Sequence, residues 1–211
     1  MEQSLNDAAA SGYFGPYATI RTDSYVILAS ILSQPPSESL MKILRSLDWD
    51  ETIPPDLADN LKALCQAGSA YSPHTVEEEF NKLFVGLGSG EIVPYASWYG
   101  ERKIQASPLA SLRSDLMALG IIRQAEKHDY EDHAAALCEI MALVSQGPGD
   151  VPFTAQAAFF QRHVAPWMVL FFEDLSSARS ADFYRIVALF GRSFLKYENE
   201  YLKHGLNTKE E

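Results

Sequence analysis

The chain has 211 residues, of which 47% are apolar and 21% charged, with a formal net charge of −11 at pH 7 and an isoelectric point near 4.9. That length supports one substantial hydrophobic core, and the composition is that of a folded domain rather than a disordered chain. The acidity argues against general nucleic-acid binding; it either attracts basic partners or serves solubility alone.

Residues 1–19 are rich in Gly, Pro and small side chains and are expected to be irregular. The opening MEQSLNDAAASGYFGPYATI has no basic region followed by an apolar run, so it does not read as a secretory signal. From about Ile20 to Leu32 the apolar positions Tyr25, Ile27, Leu28, Ile31 and Leu32 recur at helical spacing. Gln34-Pro35-Pro36 ends that helix, and Ser37 with Glu38 opens a second, striped by Leu40, Ile43, Leu44 and Leu47. Pro54-Pro55 precedes a third helix, expected to stop near Gly68. His74-Thr75 offers an N-cap to a fourth, with Glu77, Glu78 and Glu79 as first-turn acids and Phe80, Leu83 and Phe84 on one face.

Gly86, Gly88 and Gly90 close that helix, and residues 86–106 read as an ordered loop. Pro108 starts a helix through Leu109, Leu112, Leu116, Met117 and Leu119 that ends at Gly120. A polar bridge, RQAEKHDYEDH, leads to a helix from about Asp132 to Val144, broken by GPGDVP. FTAQAAFFQRHV, PWMVLFFEDLSSA and a long helix from about Ser180 to Leu202 follow, and residues 205–211 are expected to fray. No stretch alternates with period two between hairpin turns. The reading is an all-α fold, a single compact multi-helix domain of about eight to ten helices over 20–204. The most apolar run, VAPWMVLFF, is too short to span a bilayer, which with the missing leader points to the cytoplasm.

Four segments could carry chemistry. Gly86-Leu87-Gly88-Ser89-Gly90 follows a helix rather than a strand and lacks a Lys-Ser or Lys-Thr, so it reads as a helix stop, not a phosphate loop. His128-Asp129-Tyr130-Glu131-Asp132-His133 is rich in potential ligands. However, His128 and His133 lie five apart and do not stack on one helical face; Asp132 reads more simply as an N-cap or first-turn acid. Ser97 is not on a GxSxG elbow, but Tyr95, Trp98 and Tyr99 place three aromatics in five positions. These either plug the core or line a concave site for an apolar peptide. Phe159-Phe160-Gln161-Arg162-His163, with Pro166-Trp167 and Phe171-Phe172, reads as two amphipathic helices meeting at a proline corner, His163 bonding to backbone. Cys65 and Cys138 have no partner at metal or CxxC spacing and read as buried free thiols.

Taken together, Glu79-Phe80-Asn81-Lys82-Leu83-Phe84-Val85-Gly86, Val93-Pro94-Tyr95-Ala96-Ser97-Trp98-Tyr99, Tyr130-Glu131-Asp132-His133 and Phe159-Phe160-Gln161-Arg162-His163-Val164-Ala165-Pro166-Trp167 resemble the TorD/DmsD/NarJ family of redox-enzyme maturation chaperones. The resemblance covers about residues 20–200. It implies an all-helical, cytoplasmic, non-enzymatic chaperone that binds the twin-arginine signal peptide and apo form of a molybdopterin oxidoreductase, assists cofactor insertion and proofreads export. It implies a peptide surface including Phe80, Leu83, Phe84, Pro94, Tyr95, Ser97, Trp98, Tyr99, Asp132 and His133. No cofactor and no metal are implied, apart from weak guanine-nucleotide binding in some members. A monomer with some domain-swapped dimer is expected, because the bridge 123–131 joins two groups of helices. Two positions depart from the family pattern: Leu87 follows Gly86 where a proline is common, and Pro94 is followed by Tyr95 rather than a second proline. The competing class is a small helical enzyme using a metal or nucleotide near His128–His133.

Overall fold

The computed structural model describes residues 14–48, 53–86, 90–100, 108–121, 131–146 and 151–207. Residues 1–13, Gly88, the bridge residues 123–130 with His128, and 208–211 lie outside the described residues. Among the described residues ten α-helices follow in chain order: α1 (Phe14–Ser33), α2 (Glu38–Arg45), α3 (Pro55–Ala70), α4 (Pro73–Phe80), α5 (Ala96–Gly100), α6 (Pro108–Ala118), α7 (Ala134–Ser145), α8 (Phe153–Phe159), α9 (Met168–Ser177) and α10 (Phe183–Asn207). Among the described residues there is no strand, only an isolated antiparallel bridge between Tyr95 and His133. The all-α expectation holds, as one compact helical domain.

Two helices widen at their ends. Asn81–Val85 continues α4, and Phe160–Val164 continues α8, as single π turns. Gly86 donates its N–H to Asn81 O at 2.7 Å and Ala165 to Phe160 O at 2.9 Å, each five residues back. Such turns recur at functional sites because they re-aim side chains without ending the helix. Gly86 then ends the first at φ 59°, a conformation open to glycine at little cost.

Capping explains several boundaries. Ser37 accepts from Leu40 N–H at 3.2 Å, as the Ser37-Glu38 pattern predicts. Ser72, not His74 or Thr75, caps α4; its Oγ accepts from Thr75 N–H with Pro73 in the first position. Glu77–Glu79 therefore lie past the first turn. Helix α1 begins at Phe14, upstream of the expected start at Ile20, because Pro16 falls in the first turn, where a missing N–H removes no helical bond. Helix α10 runs to Asn207, past Leu202: Tyr201 meets Phe153 edge-on at 5.5 Å, and Gly205 lies against the same ring.

The core forms around α10 and α7. Phe183, Tyr184, Val187, Ala188, Phe190 and Phe194 of α10 are fully buried against α9, α3 and α8. Helix α7 is buried nearly all round and packs most extensively on α1. A polar network ties the two ends of the chain together inside this core. Arg21 Nε donates to both carboxylate oxygens of Glu198 at 2.8 Å, its Nη1 donates to Gln156, and Tyr25 OH donates to Glu198.

Gly68 does not stop α3, which continues to Ala70. Gly68 is buried where α3 crosses α2, and an added Cβ would stand 2.9 Å from Leu44 Cβ. The glycine is there for close approach. In α2 the expected stripe is also revised: Met41 and Leu44 are buried, whereas Ile43 is 53% exposed. Cys138 is fully buried and burial pushes its thiol well above the ordinary range; Cys65 is only half-buried and donates to Arg45 O.

Candidate functional site

The residues expected to form one peptide surface divide into three neighbourhoods. Phe80 and Phe84 form an aromatic cluster with Tyr184 of α10, at ring distances of 5.0 Å for Phe80–Phe84 and 5.3 Å for Phe84–Tyr184. Phe80 and Leu83 are buried and Phe84 is half-buried, so this group packs the α4–α10 contact.

The second neighbourhood joins two distant stretches. Ala134 N–H donates to Pro94 O at 2.8 Å and Ala96 N–H to Asp132 O at 3.0 Å. Asp132 Oδ2 accepts from Ser97 N–H at 2.9 Å. The N-cap of α7 is therefore His133, whose Nδ1 accepts from Ala135 N–H at 3.1 Å, and not Asp132. Asp132 is drawn away because its carboxylate meets the Ser97 N–H at the start of α5, for which it is a stronger acceptor than water. The His133 ring stands edge-on to Tyr95 at 4.9 Å. Pro94, Asp132 and His133 are buried, Tyr95 is half-buried and Ser97 is exposed.

The third neighbourhood is open. Pinning 94–97 onto 131–134 raises the short helix α5, so its residues point in opposite senses. Tyr99 is buried, tilted on Trp167 at 5.5 Å and edge-on to Phe171 at 6.5 Å; its OH donates to Asp174 at 3.1 Å. Trp98 is 46% exposed. It borders a groove of about 530 Å³ with Ile92, Val93, Tyr99, Glu91 and Asp174. One wall is fixed by Glu91, whose carboxylate accepts from Arg179 N–H at 3.0 Å, Ser180 N–H and Ser180 Oγ. These hydrogen bonds hold the Glu91 carboxyl below the ordinary carboxylate range, with the Ser180 hydroxyl foremost. Ile92 N–H donates to Leu83 O at 2.9 Å, which ties this wall to the π turn after α4.

Sequence reasoning missed a charged cluster beside this site. His163 Nε2 lies 2.6 Å from Asp115 Oδ2, and Arg162 Nη1 donates to the same carboxylate at 2.7 Å. The π turn at 160–164 places both on α6; His163 does not bond backbone through its ring, although its carbonyl accepts from Trp167 Nε1. Burial raises the Asp115 carboxyl, but the His163 and Arg162 hydrogen bonds outweigh it and the net displacement is downward. A small cavity of about 70 Å³ lies between Asp132, His163, Arg162 and Trp167. The Arg-His pair in FFQRHV was the available signal; its partner, 47 residues upstream of Arg162, was not. Among the described residues no three His, Cys, Asp or Glu side chains could hold a metal ion, and no helix is long and apolar enough to cross a membrane.

Comparison with known proteins agrees with this build. The Haemophilus influenzae protein named "Probable Tat proofreading chaperone DmsD" is 24% identical over 144 residues, spanning 67% of this chain and 68% of that protein. A crystal structure assigned to a redox enzyme maturation protein of Archaeoglobus fulgidus shares the fold, with a TM-score of 0.54 at 15% identity, over 85% of this chain and 93% of that one. The fold shared with that structure is an all-helical domain. The sequence family described as nitrate reductase delta subunit matches residues 50–173, more than half of the chain. The chain belongs to that family, which includes the TorD, DmsD and NarJ chaperones.

Proposed function

We propose that this protein is a cytoplasmic chaperone that holds the N-terminal twin-arginine signal peptide of a molybdopterin oxidoreductase, keeping the apo-enzyme from export until its cofactor is in place. The observation that carries the reading is Trp98, a large aromatic left 46% exposed over a groove lined also by Asp174, by Glu91 with its carboxylate already bonded to 179–180, and by Arg179. A twin-arginine peptide pairs two cations with an apolar stretch. An aromatic face beside carboxylates complements both, through apolar burial, cation–π contact and charge-assisted hydrogen bonds. The net charge of −11 adds attraction at a distance. The DmsD relative is named as a Tat proofreading chaperone, which supports the same reading.

Asp132 and His133 have a positioning role in this reading. They pin the 94–97 segment so that α5 presents Trp98 outward. The backbone bond from Ile92 N–H to Leu83 O ties the same segment to the π turn after α4. The test is titration calorimetry with the signal peptide of the reductase that co-purifies from the native host. Affinity in the micromolar range or tighter, about −8 kcal/mol, is expected. Absence of heat with the correct client overturns the reading. Weak guanine-nucleotide binding is a separate proposal, tested by the same calorimetry with GDP and GTP.

A further inference from the structure

Among the described residues three charged side chains line the groove beside Trp98: Glu91, Asp174 and Arg179. They are not equivalent. The Glu91 carboxylate is engaged by the turn after α9, where it accepts from Arg179 N–H, Ser180 N–H and Ser180 Oγ. The Arg179 charge also acts on it, so the two offset each other at that end of the groove. Asp174 stands differently. It is exposed on α9, and Tyr99 OH donates to its Oδ2 at 3.1 Å. A carboxylate has about four acceptor sites, so capacity for further donors remains. The Tyr99 ring is buried against Trp167 and Phe171, which fixes the hydroxyl that aims this carboxylate. Trp98, the residue before it in α5, gives the same groove an exposed aromatic ring. The groove thus carries one unbalanced negative charge and one exposed aromatic face.

We propose that the groove seats a single arginine of the partner peptide, its guanidinium stacked on Trp98 and bonded to Asp174, and that Asp174 is the residue that selects it. The inference rests on the signal-peptide reading and narrows it: of two adjacent arginines, one is read here and the other is not. Three features select that occupant. A guanidinium is planar, so it can lie on an aromatic face while its N–H fork meets a carboxylate; the ammonium of lysine is compact and more strongly hydrated, and has no such face. One unbalanced carboxylate matches one cation, and a second arginine in the groove would meet the Arg179 guanidinium with Glu91 already engaged. Successive side chains of an extended peptide also point to opposite sides, so the neighbouring arginine turns away. Tyr99 is a positioning residue in this arrangement: its hydroxyl orients Asp174, and its buried ring touches no peptide.

The probe is a synthetic peptide with two adjacent arginines followed by an apolar run of leucine and alanine. Matched probes carry glutamine in place of the first arginine, the second, or both. Fluorescence anisotropy with the full chain should show one single replacement weakening binding about tenfold and the other less than about threefold. Asp174→Asn should weaken the two-arginine probe about tenfold and leave the double-glutamine probe unchanged. Its melting temperature should match the wild type, since the side chain is exposed and the amide oxygen still accepts from Tyr99 OH. Tyr99→Phe keeps the ring packing and should weaken the two-arginine probe about threefold with no effect on the double-glutamine probe, a dependence on arginine that a merely structural role would not produce. No binding of the two-arginine probe to the wild type overturns the signal-peptide reading and this inference with it. Binding that Asp174→Asn leaves unchanged, or weakens equally for both probes, overturns the inference alone. Equal losses from the two single replacements do the same, because both arginines would then be read.

Discussion

Glu79 reaches out of α4 to close the N terminus of α10: its Oε1 accepts from Tyr184 N–H at 2.7 Å. The same carboxylate accepts from Asp182 N–H at 2.8 Å and Phe183 N–H at 3.0 Å. A buried helix start would otherwise leave several N–H groups without partners, and its dipole favours an anion there. Burial and the nearby Glu79 charge together push the Tyr184 hydroxyl well above its usual range.

Glu79→Ala should therefore cost about 2–4 kcal/mol, because three donors, two of them in buried hydrogen bonds, lose a charged acceptor. For a chain of this size that is a fall in melting temperature of roughly 5–15 °C by calorimetry. Glu79→Gln keeps one acceptor oxygen and should cost less. Equal stability in all three proteins would show that the contact contributes nothing.

Trp98 and Tyr99 are neighbours with opposite fates, which makes them a paired test of the binding site. Trp98→Ala should weaken signal-peptide binding by about 2 kcal/mol, roughly 30-fold, with little change in melting temperature. Tyr99→Ala should instead cost about 3–5 kcal/mol of stability, since Tyr99 is buried on Trp167 and Phe171. Normal peptide binding by folded Trp98→Ala would remove the site from this loop.

Asp132→Asn should be mild for stability, within about 1 kcal/mol, because the amide oxygen can still accept from Ser97 N–H. Asp132→Ala should release the 94–97 segment. Hydrogen exchange read by mass spectrometry would then show faster exchange at Ala96 and Ser97 than at helix α7. Unchanged protection in Asp132→Ala would mean that the backbone bridge alone holds the loop.

The Asp115 cluster predicts an acid dependence. The carboxyl is displaced downward in the folded protein, so the unfolded chain binds its proton more readily. Its contribution is present above the ordinary carboxylate range, about pH 4, and is lost as pH falls below it. The melting-temperature gap between wild type and Asp115→Asn should accordingly be largest near neutrality and close below about pH 4. A gap independent of pH would exclude the ionised pair as its source.

Gly68→Ala should loosen the α2–α3 crossing, because the new methyl would meet Leu44 Cβ at 2.9 Å and Arg45 N at 3.1 Å. Overpacking of this kind costs about 1–3 kcal/mol, against the slight gain in helix propensity that alanine brings. A rise in melting temperature would show that the two helices separate freely.

The sequence by itself determined the all-helical class, the Ser37 cap of α2, the Gly120 end of α6 and the burial of Tyr25, Leu28, Ile31 and Leu32. These follow from local rules: a 3.6-residue period, a side chain bonding a backbone group three residues away, and a glycine at positive φ. The motif segments 79–86, 93–99, 130–133 and 159–167 also meet in the fold, through the Leu83–Ile92, Tyr95–His133 and Tyr99–Trp167 contacts.

Only the tertiary structure decided what those segments do. Glu79 is indistinguishable in sequence from its neighbours Glu77 and Glu78, but caps a helix 103 residues onward. Asp132 looks like a cap and serves Ser97; His133 caps in its place. Trp98 and Tyr99 share the short helix α5, and Tyr99 is buried because Trp167, Phe171 and Asp174 of distant segments meet it, while Trp98 stays 46% exposed. Ile43 fits the apolar stripe of α2, yet remains exposed because α3 covers the face of Met41 and Leu44 instead. Each outcome rests on which distant element arrives at a side chain, and hydrophobic period and capping patterns carry information only across a few residues.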